Sequence, residues 1–136
     1  MSKIAKAFQD NPKAFISFVT AGDPSLAKTK ELILALEKAG SAIVEIGIPF
    51  SDPVAEGEVI QRANIRALAG GCTTDKIFDM LADLRKTSQV PIVFLTYVNP
   101  IFTYGRDKFF AQCQEVGVDG VIVPDVPLEY KGELVD

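Results

Sequence analysis

The sequence predicts an α/β fold built around a parallel sheet. Four short apolar segments, rich in β-branched and aromatic residues and bounded by Gly, Pro, Asn and Asp, are typical of strands. Helical periodicity follows each of the first three and begins again after the fourth, and such alternation favours parallel strands joined by right-handed crossovers. The predicted strands are residues 14–20, 43–48, 91–97 and 120–124.

The predicted helices each show apolar residues spaced three or four apart. A short polar helix is expected at residues 3–9, and a second helix over residues 26–38 ends at Gly40. Two more follow the second strand, with Gly70-Gly71 between them and Thr73 or Thr74 as the N-cap of the later one. The expected buried faces are Leu32, Ile33, Leu36 and Ala39; Val59, Ile60 and Ala63; Ile77, Phe78, Leu81 and Leu84; and Phe109, Phe110, Cys113 and Val116.

Composition limits the classes of partner. The 136 residues are 48% hydrophobic with a net charge of −4, and Lys and Arg are scattered along the chain. A single domain over residues 1–136 is therefore expected, with neither a nucleic acid nor an anionic membrane as its main partner. The chain shows no signal-peptide pattern and no apolar run near the ~18 residues of a membrane span, so a cytoplasmic protein is expected.

The available chemistry is narrow. The sequence contains no histidine, and its two cysteines, Cys72 and Cys113, form no CxxC pair. A structural zinc site and a histidine-activated nucleophile are therefore not expected, and the thiols are expected to be reduced and partly buried. No Gly-rich loop follows a strand as in nucleotide-binding folds, so no nucleotide cofactor is predicted.

A carboxylate inside the second predicted strand is the first catalytic candidate. Alternation places Glu45 on the face opposite Val44 and Ile46. If helices cover the other face, Glu45 points into the interior of the sheet, where burial would raise its pKa and let it deliver a proton. The alternative is a structural glutamate paired with a cation or hydrogen-bonded in the core.

The loop after this strand supplies a second acid, Glu56. A carboxylate near a helix N-terminus is common for local reasons, and only the neighbouring Glu45 makes a catalytic pair plausible. Asp23 and Asp125 have the pattern of turn or N-cap residues. For the aromatic residues Phe18 and Tyr97, packing in the core is the ordinary expectation. The more specific prediction is that they line a pocket at the strand ends.

The chain resembles the tryptophan synthase alpha chain family. The resemblance runs in order through essentially all 136 residues. It implies a TIM (βα)₈ barrel, of which this chain covers about the first four βα units, a half-barrel. The matching segments are Phe18-Val-Thr-Ala-Gly-Asp-Pro24, Glu45-Ile-Gly-Ile-Pro-Phe-Ser-Asp-Pro53, Val59-Ile-Gln61, Leu95-Thr-Tyr-Val-Asn-Pro100, Tyr104-Gly105 and Gly117-Val-Asp-Gly-Val-Ile-Val-Pro-Asp-Val-Pro127.

The resemblance implies a lyase that cleaves indole-3-glycerol phosphate to indole and glyceraldehyde 3-phosphate by a retro-aldol reaction, with no metal and no organic cofactor. It assigns to Glu45 the protonation of indole C3, and to Glu56 the indole N–H and the positive charge that develops on the ring. It also implies an α₂β₂ tetramer with the tryptophan synthase beta chain. The residues implied for the indole pocket are Phe18, Leu95 and Tyr97; those for docking the beta chain are Pro49, Phe50, Asp52, Pro53, Asn99, Asp125 and Pro127.

Three features differ from the family pattern. Glu56 stands where the family has Asp, and a shift of about an ångström at a reacting group can cost ~10²-fold in rate. Glu58 replaces a Pro, and the later strands that would bind the substrate phosphate lie beyond a four-strand chain. Little or no lyase activity is therefore expected from this chain alone, and the alternative is a non-catalytic half-barrel that binds a partner, either the beta chain or a second half-barrel.

Overall fold

The computed structural model describes residues 2–52 and 56–133. Its centre is a four-stranded sheet in which all neighbouring strands are parallel and lie in sequence order. This confirms the predicted α/β fold with a parallel sheet and four strands. The strands are β1 (Ile16–Thr20), β2 (Ile43–Gly47), β3 (Ile92–Leu95) and β4 (Gly120–Ile122).

Helices precede and connect these strands. Among the described residues none is long and apolar enough to cross a bilayer. Two helices, rather than one, separate β2 from β3, as predicted, and two also separate β3 from β4. The helices are α1 (Lys3–Asp10), α2 (Leu26–Lys38), α3 (Glu58–Ala69), α4 (Thr74–Leu84), α5 (Val98–Tyr104) and α6 (Arg106–Glu115), and a 3₁₀ helix follows β4 at Leu128–Glu133.

Side-chain caps explain where two of the helices begin. The Ser25 hydroxyl accepts a hydrogen bond from the backbone N–H of Lys28 at the start of α2. Thr73, rather than Thr74, is the N-cap of α4, because its hydroxyl accepts from the N–H of Lys76 at 3.3 Å. The glycine expected to end α2 follows the cap residue, and its φ of 106° is a conformation that a side chain would strain.

The two faces of the sheet have different surroundings. Val44, Ile46 and Phe94 belong to the core that packs against the helices. Glu45 pairs in register with Phe18 of β1, so both side chains lie on the opposite face. The predicted alternation along the second strand is thereby confirmed.

Aromatic rings fill the core between the sheet and the later helices. Phe78 of α4 lies edge-on to Phe94 of β3 and Phe109 of α6, with ring centroids 5.8 and 5.6 Å apart. Tyr104 at the end of α5 completes the cluster, 5.6 Å from Phe78. The buried face predicted for α4 is confirmed, since Ile77, Phe78, Leu81 and Leu84 are all buried.

Three predicted core positions are wrong, and one of them is Ala39, which follows α2 and is exposed. Leu32 of α2 is 44% exposed and Val59 of α3 is 79% exposed. In α2 the buried face runs through Thr29 and Ile33 instead. In α3 it runs through small and amide side chains, Ala63, Asn64 and Ala67, because this helix lies close to the loops that follow the strands.

The Asn99-Pro100 pair follows the third predicted strand, and its residue types predict a turn, but the structure has a helix there. The pair lies in the first turn of α5, in which Pro100 is the third residue. Proline is tolerated there because first-turn N–H groups have no partner within the helix. The Asp125 carboxylate, from the loop after β4, accepts the free N–H of Val98 at 3.0 Å, so the helix depends on a contact distant in sequence.

Candidate active site at the carboxyl end of the sheet

Glu45 is half-buried on the face of the sheet opposite the helix-packed core, here called the open face. Helix α1 reaches the amino end of this face, where Ile4 Cδ1 lies 3.3 Å from the Cβ position of Gly120. Its neighbours in register are Phe18 of β1 and Val93 of β3. Desolvation raises the pKa of the Glu45 carboxyl above its ordinary value. No cation or hydrogen-bond donor among residues 2–52 and 56–133 pairs with it, so the contacts of a structural glutamate are absent in this part of the chain. A carboxyl in this setting can carry and release a proton.

The apolar wall beside Glu45 is formed by Phe18 and Leu95. The Phe18 ring crosses over Gly47, where a Cβ atom would lie only 2.7 Å from Phe18 Cζ. Gly47 pairs with Leu95 in the sheet, so the half-buried Leu95 side chain lies on this same face. The structure thus brings together three of the residues predicted for catalysis and substrate binding.

Glu56 is held by the helix that follows it. One oxygen of its carboxylate accepts a hydrogen bond from the Asn64 side-chain amide at 2.9 Å. The Gln61 amide donates to the Glu56 backbone carbonyl at 3.1 Å. Asn64 is only 3% exposed, so the anchor of the loop acid is itself packed in the core. The carboxylate therefore has a defined direction and one oxygen not engaged by Asn64.

A second contact ties α3 to the loop after β1. Both Asp23 carboxylate oxygens accept from the Arg66 guanidinium, at 2.8 and 2.9 Å. This bidentate pair lowers the pKa of Asp23 below its ordinary value. Asp23 therefore serves as an ion-pair partner rather than as a helix cap, and α3 connects the loops after β1 and β2.

Tyr97 lies two residues after the end of β3 and is 2% exposed. Its ring contacts that of Phe50, with centroids 5.4 Å apart and planes tilted by 35°. The aromatic pair joins the loop after β2 to the start of α5. Core packing of Tyr97, the default expectation, is confirmed; its contact with a substrate stays a prediction.

A groove of about 340 Å³ opens beside this aromatic pair. Phe50 and Asn99, both predicted to dock a partner, are among its lining residues, together with Asp75 and Tyr104. The Tyr104 hydroxyl donates to Asp75 at 2.8 Å, and burial with this contact raises the pKa of Tyr104 to about 12. The groove therefore presents a neutral phenol hydrogen-bonded to a carboxylate.

The remaining residues predicted for docking differ in exposure. Pro49 is buried within the chain, so its ring is not offered to a partner in this structure. Asp52, Asp125 and Pro127 are exposed. Pro53 lies outside the described residues.

The cysteines behave as the sequence predicts. Both are free thiols, with Cys113 buried and Cys72 half-buried. Burial raises the pKa of Cys72 to about 11 and that of Cys113 to about 12, so neither is a ready nucleophile at neutral pH. Within the described part of the chain, no cluster of His, Cys, Asp and Glu side chains could hold a metal ion.

Sequence reasoning missed the supporting residues of the site, Asn64 and Arg66. The sequence signal for Asn64 is its position on the inward side of α3, between the buried residues Ala63 and Ala67. A buried amide normally has a polar partner, so such a position marks a hydrogen bond to a loop. Which loop group accepts that bond depends on tertiary structure.

Comparison with known proteins identifies the relatives of this fold. The family model described as "Tryptophan synthase alpha chain" matches residues 4–136. Curated proteins of that name from Alkaliphilus metalliredigens and Bacillus cereus are 50% and 54% identical, over 98% and 95% of this chain. Each match covers 50% of the relative, so the chain spans about half the length of these curated relatives.

Solved structures agree with the sequence matches. A crystal structure of tryptophan synthase subunit alpha from Legionella pneumophila has a TM-score of 0.92 at 42% identity, with 98% of this chain and 53% of that chain covered. The tryptophan synthase complex from Pyrococcus furiosus contains a chain with a TM-score of 0.84 at 40% identity, with 89% of this chain and 50% of that chain covered. At 42% and 40% identity, these two structures share both the fold and a large part of the sequence with this chain.

Proposed function

Because the chain belongs to the tryptophan synthase alpha chain family, we propose that residues 1–136 form the N-terminal half of the lyase barrel. In this role they carry the acid–base machinery that cleaves indole-3-glycerol phosphate to indole and glyceraldehyde 3-phosphate. The observation that carries the proposal is Glu45, a half-buried carboxyl with a raised pKa on the open face of the sheet.

Glu45 is the proton donor of the proposed reaction. Its carboxyl protonates indole C3, and the bond from C3 to the glycerol chain breaks with its electron pair returning to the ring. The Glu45 carboxylate left by this transfer takes the proton of the adjacent glycerol hydroxyl, and the carbon that bears this hydroxyl becomes the aldehyde. A donor pKa raised toward neutrality suits this step, because the acid must be protonated before it reacts.

Glu56 has the complementary role. Its carboxylate accepts from the indole N–H and stabilises the positive charge that develops on the ring when C3 is protonated. Asn64 directs the carboxylate through one oxygen, which leaves the other for the indole nitrogen. Glu is longer than the Asp of the family pattern, and this difference supports a lowered activity.

The apolar side chains near Glu45 provide the indole pocket. Phe18 and Leu95 line the open face, and Tyr97 closes its carboxyl end. The substrate phosphate is assigned to the half of the barrel that the chain does not span, so turnover requires that half. Residues 1–136 alone are expected to release little or no indole.

The experiment measures indole release by residues 1–136 with and without a polypeptide covering the second half of a family member. Indole should appear only on mixing. Glu45→Gln should then lower the rate by at least ~10²-fold, the usual contribution of a general acid. The matched control is Glu31→Gln, at an exposed glutamate of α2 paired with Lys28, which should leave the rate unchanged.

Three outcomes would count against the proposal. Indole release by residues 1–136 alone would refute the requirement for the second half. Full activity of the Glu45→Gln mixture would remove Glu45 as the acid. A Glu56→Asp variant slower than the parent would contradict the account of Glu56, because the shorter acid is expected to be faster by up to ~10²-fold.

A second function is favoured by the groove at Phe50 and Asn99. We infer that this surface docks the tryptophan synthase beta chain. It lies in the loops after the strands and at the start of α5, and it also includes the exposed residues Asp52, Asp125 and Pro127. In that case the half-barrel would bind the partner without cleaving substrate. A rise in beta-chain turnover on mixing, with no indole released under any condition, would favour this binding role over catalysis.

A further inference from the structure

Helix α3 lies between the loop that carries Glu56 and the loop after β1. Its N-cap is Gly57, which has no side chain to accept a hydrogen bond from the first turn. A serine and a threonine hydroxyl supply that bond in α2 and α4. The orientation of α3 therefore depends on side chains further along the helix and on the loops that they contact.

The loop after β1 is packed from two sides. The backbone N–H of Gly22 donates to the Thr29 hydroxyl at 3.0 Å, and Thr29 of α2 is 1% exposed. On the other side, a Cβ atom at Gly22 would lie 2.6 Å from Cβ of Cys72, which follows α3. The Cys72 thiol also donates to the Ala21 carbonyl at 3.6 Å. This loop therefore provides a firm base against which α3 is oriented.

Two side chains of α3 contact the two loops from nearly opposite flanks of the helix. Arg66 donates to both carboxylate oxygens of Asp23, at 2.8 and 2.9 Å, in the loop after β1. Asn64 donates to the Glu56 carboxylate at 2.9 Å. Two positions along an α-helix correspond to a rotation of about 200°. The contact between Arg66 and Asp23 therefore restrains rotation of α3 and, with it, the direction in which Asn64 points.

The pair of Asp23 and Arg66 is suited to this task. The Asp23 side chain is only 18% exposed, and the bidentate geometry fixes the plane of the guanidinium. Among the ion pairs of the described residues, only this one and that of Lys30 with Asp83 join separate elements. The Arg62 pair on the same helix stays within α3 and is exposed on both sides, so it links α3 to nothing else.

A small rotation of α3 is enough to matter for catalysis. Side-chain tips lie about 5–6 Å from the axis of a helix, so a rotation of about 10° moves them by about 1 Å. A misplacement of about that size, caused at a distance from the reacting atoms, can lower a rate by ~10²-fold. Glu56 would follow such a movement, because Asn64 is hydrogen-bonded to its carboxylate.

We propose that Arg66 is a positioning residue for Glu56. Its pair with Asp23 fixes the rotation of α3, and α3 in turn directs the Glu56 carboxylate through Asn64. The expected effect on catalysis rests on the proposed function, in which Glu56 contacts the indole N–H. The expected effect on the hydrogen bond of Asn64 does not depend on that function.

The kinetic test uses residues 1–136 mixed with a polypeptide covering the second half of a family member. Arg66→Met should lower kcat for indole release by about tenfold and change KM by less than about threefold, because Glu56 acts mainly on the charge of the transition state. Arg66→Lys should recover only part of the rate, since an ammonium does not make the bidentate contact. The matched control is Lys30→Met, which removes the ion pair between α2 and α4 and should leave kcat unchanged.

Asp23→Asn removes the same ion pair from its other side. It should slow indole release as much as Arg66→Met does. The double variant should be no slower than either single variant, because all three lose one shared contact. Independent effects that multiply in the double variant would contradict the proposal. So would an undiminished kcat of Arg66→Met in a mixture whose parent is active.

A spectroscopic measurement tests the positioning without any turnover. The side-chain amide of Asn64 is observed by nuclear magnetic resonance in ¹⁵N-labelled residues 1–136, mixed with the unlabelled second half. In Arg66→Met its resonance should move towards that of exposed amides, and its exchange with water should become faster. In Lys30→Met the resonance should stay in place. If the parent mixture releases no indole, the proposed lyase function fails, and this resonance alone decides whether Arg66 positions Asn64.

Salt provides the same test without a substitution, in case the variants do not fold. Raising NaCl from about 0.05 M to about 1 M screens a partly exposed ion pair. The Asn64 resonance of the unmodified chain should then shift in the direction expected for Arg66→Met. A resonance that does not move in a folded Arg66→Met variant, or with salt where that variant does not fold, would overturn the proposal.

Discussion

Asn64→Ala is the substitution that most directly tests the anchoring of Glu56. The Asn64 amide is almost fully buried and donates to the Glu56 carboxylate at 2.9 Å. Removing it deletes one hydrogen bond to an ionised acceptor and leaves a small cavity beside Ala63 and Ala67. The loop acid then has no described side chain to direct it.

The expected loss of unfolding free energy is about 2 kcal/mol. A hydrogen bond to a charged group contributes ~1.5–3 kcal/mol, but Glu56 is half-exposed and its freed carboxylate regains water, so about 1 kcal/mol is expected for this bond. The lost packing of a buried amide adds about another 1 kcal/mol.

Urea unfolding followed by circular dichroism measures this loss. With a slope of about 2 kcal/mol per molar urea, the midpoint should fall by about 1 M. A double-mutant cycle of Asn64→Ala with Glu56→Ala should give a coupling energy of about 1 kcal/mol. Asn99→Ala, at an exposed asparagine of α5, should shift the midpoint by less than ~0.3 M. A coupling energy indistinguishable from zero would refute the anchoring role of Asn64.

Further predictions concern charge and capping. Glu45→Gln should raise the free energy of unfolding at pH 7.5, and this gain should vanish below about pH 4. The reason is that a carboxyl whose pKa is raised in the folded state opposes folding only while it is ionised. Equal free energies of unfolding for the variant and the parent at pH 7.5 would contradict this. Arg85→Met should lower the free energy of unfolding, measured in urea, by about 3 kcal/mol. The variant loses three hydrogen bonds of 2.7–2.9 Å from the guanidinium to backbone carbonyls. Arg62→Met, at an exposed ion pair, should cost under ~0.5 kcal/mol, and an equal cost for both would be contrary to expectation. Asp125→Ala should speed amide exchange in α5 by freeing the N–H of Val98, and unchanged exchange would exclude the cap.

Local patterns were sufficient for much of the fold. The helical spacing of Ile77, Phe78, Leu81 and Leu84 predicted the buried face of α4, since a row of large side chains at that spacing can be buried on one side only. The β-branched run from Ile43 likewise predicted a parallel strand buried on its helix side. In both cases the apolar pattern was strong enough for burial to follow from it.

Weaker or distant signals led to the errors. Val59 was expected in the core, but the inward face of α3 is chosen by its contacts with the loops after β1 and β2, which a periodicity count does not contain. The Asn99-Pro100 pair is typical of turns, so local sequence predicts a turn at the start of α5. The helix forms there because Asp125, 27 positions further on, accepts the N–H of Val98.

The sequence by itself determined the α/β class, the position of Glu45 on the face opposite the core, the family, and the departure at Glu56. These follow from two-residue periodicity and from contiguous motifs, both of which are local properties of the chain. Only the tertiary structure decided how Glu45 is surrounded, that Asn64 holds Glu56, and that Arg66 pairs with Asp23. Burial and hydrogen bonding at these residues depend on elements that are distant in sequence, and local patterns do not contain those contacts.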